Sequence, residues 1–241
     1  MESQSSSRVE LPLSFVNAHI DVLVQLIADM LDRLMSHNDR IPLLPESLTR
    51  FHSRSAPGIS VLDYLKRIVK FTKVEKSCLL ITLHYIDKIC TRTPLFTLSS
   101  LTCHRFIIAS ITVSSKGLCD VFCNNSLYAK VGGISVSELN TLEREFLSMI
   151  DWRLTCTYEL LQEYYVNLVR THSSGMYVIV GSTENSEDSD VEVDSTSRTP
   201  SLHEPSAIFA DPSSATSETR RPTIEQNMAF AALRNQQQDS N

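Results

Sequence analysis

What this sequence lacks narrows it first. No run of about 18 uninterrupted apolar residues occurs, so no segment reads as a membrane-spanning helix. The opening "MESQSSSRVELPLS" has no basic region followed by an apolar one, so no secretory signal is expected. There is no glycine-rich loop ending in Lys and Ser or Thr, no His-Glu-x-x-His and no Gly-x-Ser-x-Gly. Phosphate cradling, zinc hydrolysis and serine nucleophiles depend on those patterns. His84 and His104 each stand on a helical stretch with no second His or Cys three or four residues away. Glu143 and Glu145 are two apart and point to different sides of a helix, which leaves no acid–base pair. Cys119 and Cys123 are four apart, but no second Cys or His pair lies at zinc-finger spacing. The expectation is a protein that is not an enzyme, with no catalytic residue, no metal site and no cofactor.

Basic charge is scarce as well. The formal net charge is −6, against the concentrated Lys and Arg that phosphate binding needs, so no nucleic-acid partner is expected. The deficit sits in one region. Thr171 to Asn241 has 4 Arg, no Lys and 11 Asp plus Glu, whereas the first 170 residues balance 18 basic against 17 acidic side chains. The six cysteines, Cys78, Cys90, Cys103, Cys119, Cys123 and Cys156, fall on or beside apolar helical stretches and read as reduced core thiols. Asn124-Asn125-Ser126 matches a glycosylation acceptor, which carries little weight without secretion.

What is present is helical periodicity. Ser14 after Pro12 reads as the cap of a first helix, 14–37, in which Val16, Ile20, Leu23, Val24, Ile27, Met30, Leu31 and Leu34 recur at steps of three and four. Two prolines in "SHNDRIPLLPES" end it. Ser60 with Asp63 opens "SVLDYLKRIVKFT" as a capping box, and "EKSCLLITLHYIDKIC" follows, stopping before Pro94. The next helix starts near Ser99 or Ser100 and ends at Lys116 and Gly117, a basic last turn and a glycine stop. "NNSLYAKVGG" gives one or two turns closed by Gly132 and Gly133. Ser135 with Glu138 caps a helix through Leu139, Leu142, Phe146, Met149 and Ile150, and a last helix runs 157–170. The core is therefore all-α, with six to eight helices and short connections. "YVIVGS", 177–182, is the one β-like run and has no evident partner. Residues 1–13 and the acidic, Ser-rich 171–241 are expected to be disordered, because they hold too little apolar surface to offset ordering entropy. Within the tail, Thr199 before Pro200 is a minimal proline-directed phosphorylation site, and "MAFAAL", 228–233, is a short apolar run suited to docking.

From Ile59 to Leu154 the chain resembles the cyclin box of the P-type (U-type, phosphate-signalling) cyclins. The resemblance lies in "ISVLDYLKRIVKFT", "SCLLITLHYIDKI" and above all "SSKGLCDVFCNNSLYAKVGGISVSELNTLEREFL", of which "YAKVGGIS" is the most diagnostic piece. It implies a single five-helix box, about 59–154, between an N-terminal and a C-terminal helix. It also implies a regulatory subunit that binds and activates a cyclin-dependent protein kinase through box helices 3 to 5, in the cytoplasm or nucleus, with kinase substrates or inhibitors as further partners. The alternative from another class is a non-kinase adaptor, since cyclin-box helices also serve in transcription factors.

The resemblance implies a bridge between Lys116, in "SSK", and Glu143, in "LEREFL", at the kinase contact. The residues alone agree in kind, because a helix dipole favours a C-terminal Lys, but without the resemblance they read rather as solvated charges worth under about 1 kcal/mol. By the same resemblance Tyr128, Leu147, Ile150, Trp152 and Leu154 form the contact face. Leu147, Ile150 and Leu154 fit core packing as well, whereas Tyr128 and Trp152 carry polar tips that a dry core must satisfy. Asp120, in "GLCD", corresponds to an acidic residue that in some members meets a kinase arginine; a capping or loop role fits it equally. Two features bear on the pattern. Gly117 stands where cyclins often have Phe, and the box occurs once.

Overall fold

The computed structural model describes residues 8–180. Its elements run β1 Val9–Leu11, α1 Ile20–Asn38, a short 3-10 turn Pro45–Ser47, α2 Val61–Thr72, α3 Lys76–Arg92, α4 Cys103–Leu118, α5 Asn125–Gly132, α6 Val136–Met149, α7 Tyr158–Thr171 and β2 Tyr177–Ile179. The all-α expectation stands, with seven α-helices among the described residues. None of those helices is long and apolar enough to cross a membrane.

The local chemistry of the caps explains most of the boundaries. Ser60 Oγ accepts from the Asp63 N–H at 3.0 Å and Ser135 Oγ from the Glu138 N–H at 3.1 Å, as the capping boxes require. Asn124 Oδ1 accepts from the Leu127 N–H at 2.9 Å, so the side chain of the glycosylation-like tripeptide serves as a helix cap.

The core is organised around α4. Twelve of its residues from Cys103 to Ser115 are buried, more than one stripe, as expected of a helix surrounded by others. It packs against α2, α3, α5 and α6. Its polar side chains are accommodated locally: Thr112 Oγ1 donates to the Ile108 carbonyl at 2.7 Å, and Ser110 Oγ lies 2.8 Å from Thr82 Oγ1 on α3. Beside it Phe106 and Phe146 meet edge to face at 5.1 Å between centroids, with Tyr85 5.4 Å from Phe146. Phe51 and Phe96, both from connecting segments, join the same cluster and hold those segments down. Each buried side chain of this size contributes about 1.5–3 kcal/mol.

The paired glycines do two separate jobs. Gly133 takes φ 70°, the left-handed stop after α5. A Cβ on Gly132 would sit 2.8 Å from Ile108 Cγ1, so glycine there lets α5 approach α4 closely.

Four expectations are corrected. Helix α1 starts at Ile20, capped by His19, and not at Ser14. Residues 14–18 form turns instead, held by contacts from far along the chain: Tyr158 Oη lies 2.8 Å from Ser14 Oγ, the Phe15 N–H donates to Gln162 Oε1 at 3.0 Å, and Lys76 Nζ donates to the Val16 carbonyl at 2.6 Å. Val16 accordingly lies outside the apolar stripe and is exposed. The helix expected from Ser99 or Ser100 begins at Cys103, because Thr102 Oγ1 accepts from the Ser99 N–H at 2.8 Å and makes a turn there first. The β-like run does have a partner: β2 pairs in parallel with β1, Val9 opposite Tyr177 and Leu11 opposite Ile179. Residues 8–13 and 171–180 are thus ordered by each other and by α7, where Tyr165 Oη donates to the Pro12 carbonyl at 2.9 Å. Thr199, the 228–233 run and the rest of the expected disordered tail lie outside the described residues.

All six cysteines are free. Cys78 and Cys103 are buried and the other four half-buried. Cys78 Sγ and Cys119 Sγ lie 3.3 Å apart, and burial together with the Cys78 thiol pushes the Cys119 thiol up to about 12, which keeps it protonated.

Candidate functional site

Helices α4, α5 and α6 bring three polar side chains together. Lys116 occupies the last turn of α4, where the helix dipole and free carbonyls favour a cation. Its Nζ donates to Glu143 Oε1 of α6 at 2.5 Å and to Asn125 Oδ1 of α5 at 3.2 Å. Asn125 closes the triangle by donating from Nδ2 to Glu143 Oε2 at 2.8 Å, and it also reaches Asn140 Oδ1 at 2.7 Å. The Lys116 side chain is 33% exposed and that of Glu143 15%. A pair so placed is less screened than one on the surface, and both oxygens of the carboxylate are satisfied, so partial burial is not left uncompensated. The arrangement can brace three helices against one another.

The turn after α6 lies nearby. Asp151 (φ 60°) and Trp152 (φ 57°) are consecutive non-glycine residues in the left-handed region, each costing roughly 1 kcal/mol or more. The Trp152 N–H donates to the Leu147 carbonyl at 2.9 Å, while Tyr85 Oη donates to the Leu154 carbonyl at 2.7 Å and Lys88 Nζ to the Arg153 carbonyl at 3.0 Å. Those bonds hold the strained turn and project Trp152 into solvent, 67% exposed. Leu154 folds back over Gly117: a Cβ there would meet Leu154 Cδ1 at 3.0 Å. The space that a larger residue would need at position 117 is therefore occupied by the end of this turn.

Two expected contact residues are corrected. Tyr128 and Ile150 are fully buried and present no surface to a partner. The polar tip of Tyr128, the reason for placing it outside, accepts the Cys123 N–H at 3.3 Å and so anchors the loop between α4 and α5. Leu147 and Leu154 are half-buried against the core, and Trp152 and Asp120 are exposed.

Two features escaped the sequence reading. Asn125 sits in an Asn-Asn pair where both residues resemble helix caps, and nothing local distinguishes the second. Around Asp120, Leu118, Val121 and Phe122 are exposed, Val121 at 81%. The available signal was three apolar residues off any helical period in a loop.

Elsewhere, His104 packs 4.8 Å from the Tyr64 ring and its Nε2–H donates to the Ile59 carbonyl at 2.9 Å. Burial holds its pKa below the usual histidine value, as it does for His84 and His52. A cavity of about 300 Å³ beside the end of α1, lined by Asn38, Ile41, Pro42 and Leu101 among others, includes one titratable side chain, Asp39. Among the described residues no group of three His, Cys, Asp or Glu side chains is placed to hold a metal ion.

Comparison with known proteins gives these helices a family. The cyclin family profile matches residues 21–154. The chain is 47% identical over 153 residues to the Nuc-1 negative regulatory protein preg of Neurospora crassa, covering 62% of this chain and 32% of that protein. It is 40% identical over 177 residues to the PHO85 cyclin PHO80 of Saccharomyces cerevisiae, covering 68% of this chain and 60% of the relative. With Cyclin-U1-1 of Arabidopsis thaliana it shares 32% identity over 161 residues, 65% of this chain and 77% of the plant protein. The chain thus spans about a third of the length of the first of these and three fifths of the second. With the profile over more than half of its length and a helical core built around α4, the chain belongs to the cyclin family, alongside its P-type and U-type members.

Proposed function

We propose that the chain is the regulatory subunit of a cyclin-dependent protein kinase, which it binds and activates through the face formed by α4, α5 and α6. The observation that carries this reading is the Lys116–Asn125–Glu143 brace, set beside a strained turn that exposes Trp152. A relative named as the cyclin of PHO85 supports the choice of partner. The exposed Leu118, Val121 and Phe122 widen the apolar surface, and Asp120 among them is free to meet an arginine.

The mechanism is differential binding. A protein kinase is competent only when its mobile helix carries a glutamate to the lysine that orients the ATP phosphates. A rigid face that fits only that inward state shifts the population toward it, by as much as its affinities for the two states differ. A charge brace spanning three helices serves such rigidity. The cytoplasm and nucleus are where such a kinase would be met.

The test pairs the purified full chain with a cyclin-dependent kinase, measuring binding and phosphorylation of a peptide substrate. Stable binding with at least a tenfold gain in peptide phosphorylation is expected. Lys116→Ala plus Glu143→Ala should lose most of both while the helical circular dichroism persists. A kinase that binds but gains no activity, or capture of other partners from a lysate without any kinase, replaces this reading with that of a non-kinase adaptor.

A further inference from the structure

The turn that exposes Trp152 is also ringed with positive charge. Arg92 Nη1 of α3 lies 3.3 Å from Asp151 Oδ2, and Arg153 Nε lies 3.5 Å from the same oxygen. Lys88, one turn before Arg92, donates to the Arg153 carbonyl at 3.0 Å. Three cations thus gather round one carboxylate, an excess of two positive charges, on a chain whose formal net charge is −6. Asp87, the neighbour of Lys88, accepts from Tyr164 Oη of α7 at 2.5 Å. The excess is felt inside the group. Burial, then Arg153 and Arg92, hold the Lys88 ammonium below the usual lysine value, and Asp151 offsets them only in part.

The cluster is open to approach. The Arg153 side chain is 77% exposed and that of Arg92 47%, on either side of the exposed Trp152 indole in the chain or in space. It is also held in place, since the left-handed Asp151 and Trp152 are followed by two carbonyls that Lys88 and Tyr85 pin to α3. Leu154 joins the turn to Gly117, the residue after Lys116, so the charges border the α4–α6 face. Tryptophan and arginine are the side chains that interface centres favour. Like charges gathered on a free surface only repel, and an anionic partner is what relieves them.

Resting on the kinase reading above, we propose that the collar of Lys88, Arg92 and Arg153 meets an acidic surface patch of the partner kinase, whose carboxylates take up the charge that Asp151 leaves over while Trp152 packs against it. Brace and collar then have different tasks. The brace sets the shape of the face, and the collar chooses which kinase docks there. Charge at such a rim acts chiefly on the rate of encounter and on the rejection of a like-charged surface.

The test is the association rate of the full chain with the purified cyclin-dependent kinase, read by surface plasmon resonance at about 0.05 M and about 0.5 M salt. Arg92→Gln with Arg153→Gln should slow association at least about fivefold at low salt. Asp151→Asn adds to the excess and suits the left-handed backbone, so it should quicken association at least about twofold. Both differences should shrink at high salt. Opposite signs are the mark of the collar: if the cations only staple the turn, both variants slow association alike, and if the kinase answers to the overall negative charge, Asp151→Asn slows it. Either result overturns the inference. Should a variant lose its helical circular dichroism, the parent decides alone, because its association must slow at least about tenfold between the two salt levels, and a rate that is indifferent to salt or rises with it overturns the inference. A parent that binds no kinase overturns the kinase reading and this inference with it. A parent that binds, beside variants of unchanged rate, overturns this inference alone.

Discussion

The two ends of α5 treat charge in opposite ways. At the first residue, Asn125 stands between Lys116 and Glu143, and every polar atom facing the triangle has a partner at 3.2 Å or less. At the last turn, Lys130 and the neighbouring α2 cations are exposed and make no ion pair with another described residue. One end spends its charges on geometry, fixing three helices in half-buried surroundings. The other keeps its charges available to whatever approaches, at little cost in high dielectric. Charged residues of similar count in one small domain thus divide into those that hold shape and those that project a field, and burial is what separates them.

That division can be broken most sharply at Glu143. Glu143→Ala leaves the Lys116 ammonium and the Asn125 amide partly buried without their acceptor and should cost about 2 kcal/mol in urea unfolding. In a double-mutant cycle with Lys116→Ala the coupling should exceed about 1 kcal/mol; a value near zero would place the pair with ordinary surface charges. A smaller effect concerns His104, which joins α4 to the entry of α2 and so bears on whether both ends share one frame. Its folded pKa is depressed, as are those of His52 and His84, while the unfolded chain protonates near the ordinary value. The unfolded state therefore binds more protons in acid, and stability present above about pH 6.5 is lost as pH falls toward the folded values. The melting temperature should decline between about pH 7 and pH 5, and His104→Gln should flatten part of that decline. A rise in stability over the same interval would contradict the burial argument. The smallest effect belongs to the exposed end: Lys66→Glu, Lys70→Glu and Lys73→Glu should each change stability by no more than about 0.5 kcal/mol by the same unfolding assay.

Most of the helical frame was legible because its signals are local. The Ser60 and Ser135 caps, the apolar periods and the glycine stop depend on residues three or four apart. What depended on distant neighbours was not. Ser14 has the chemistry of a helix cap, yet residues from 158 to 162 decide its role, and the Val9–Leu11 segment becomes a strand only because Tyr177–Ile179 lies beside it. The Lys116–Glu143 pair was legible through the family pattern, while Asn125 was not, since its amide is distinguished only by what stands opposite. Tyr128 shows how a sound rule misleads at a given site. A buried tyrosine does need a partner for its hydroxyl, and here a backbone N–H from its own preceding loop supplies one.

The strand pair and α7 bear on how this protein can be cut. The family profile begins at residue 21 and ends at 154, but the packing does not follow those limits. A fragment trimmed to the profile loses α7, whose Leu161, Tyr165 and Leu168 are buried in a helix packed against α1 and α3, and it discards both strands. The apolar faces so uncovered would make the fragment prone to associate with itself, through surfaces that in the intact chain never meet solvent. The stretch by which the chain is recognised is shorter than the one that keeps its interior closed.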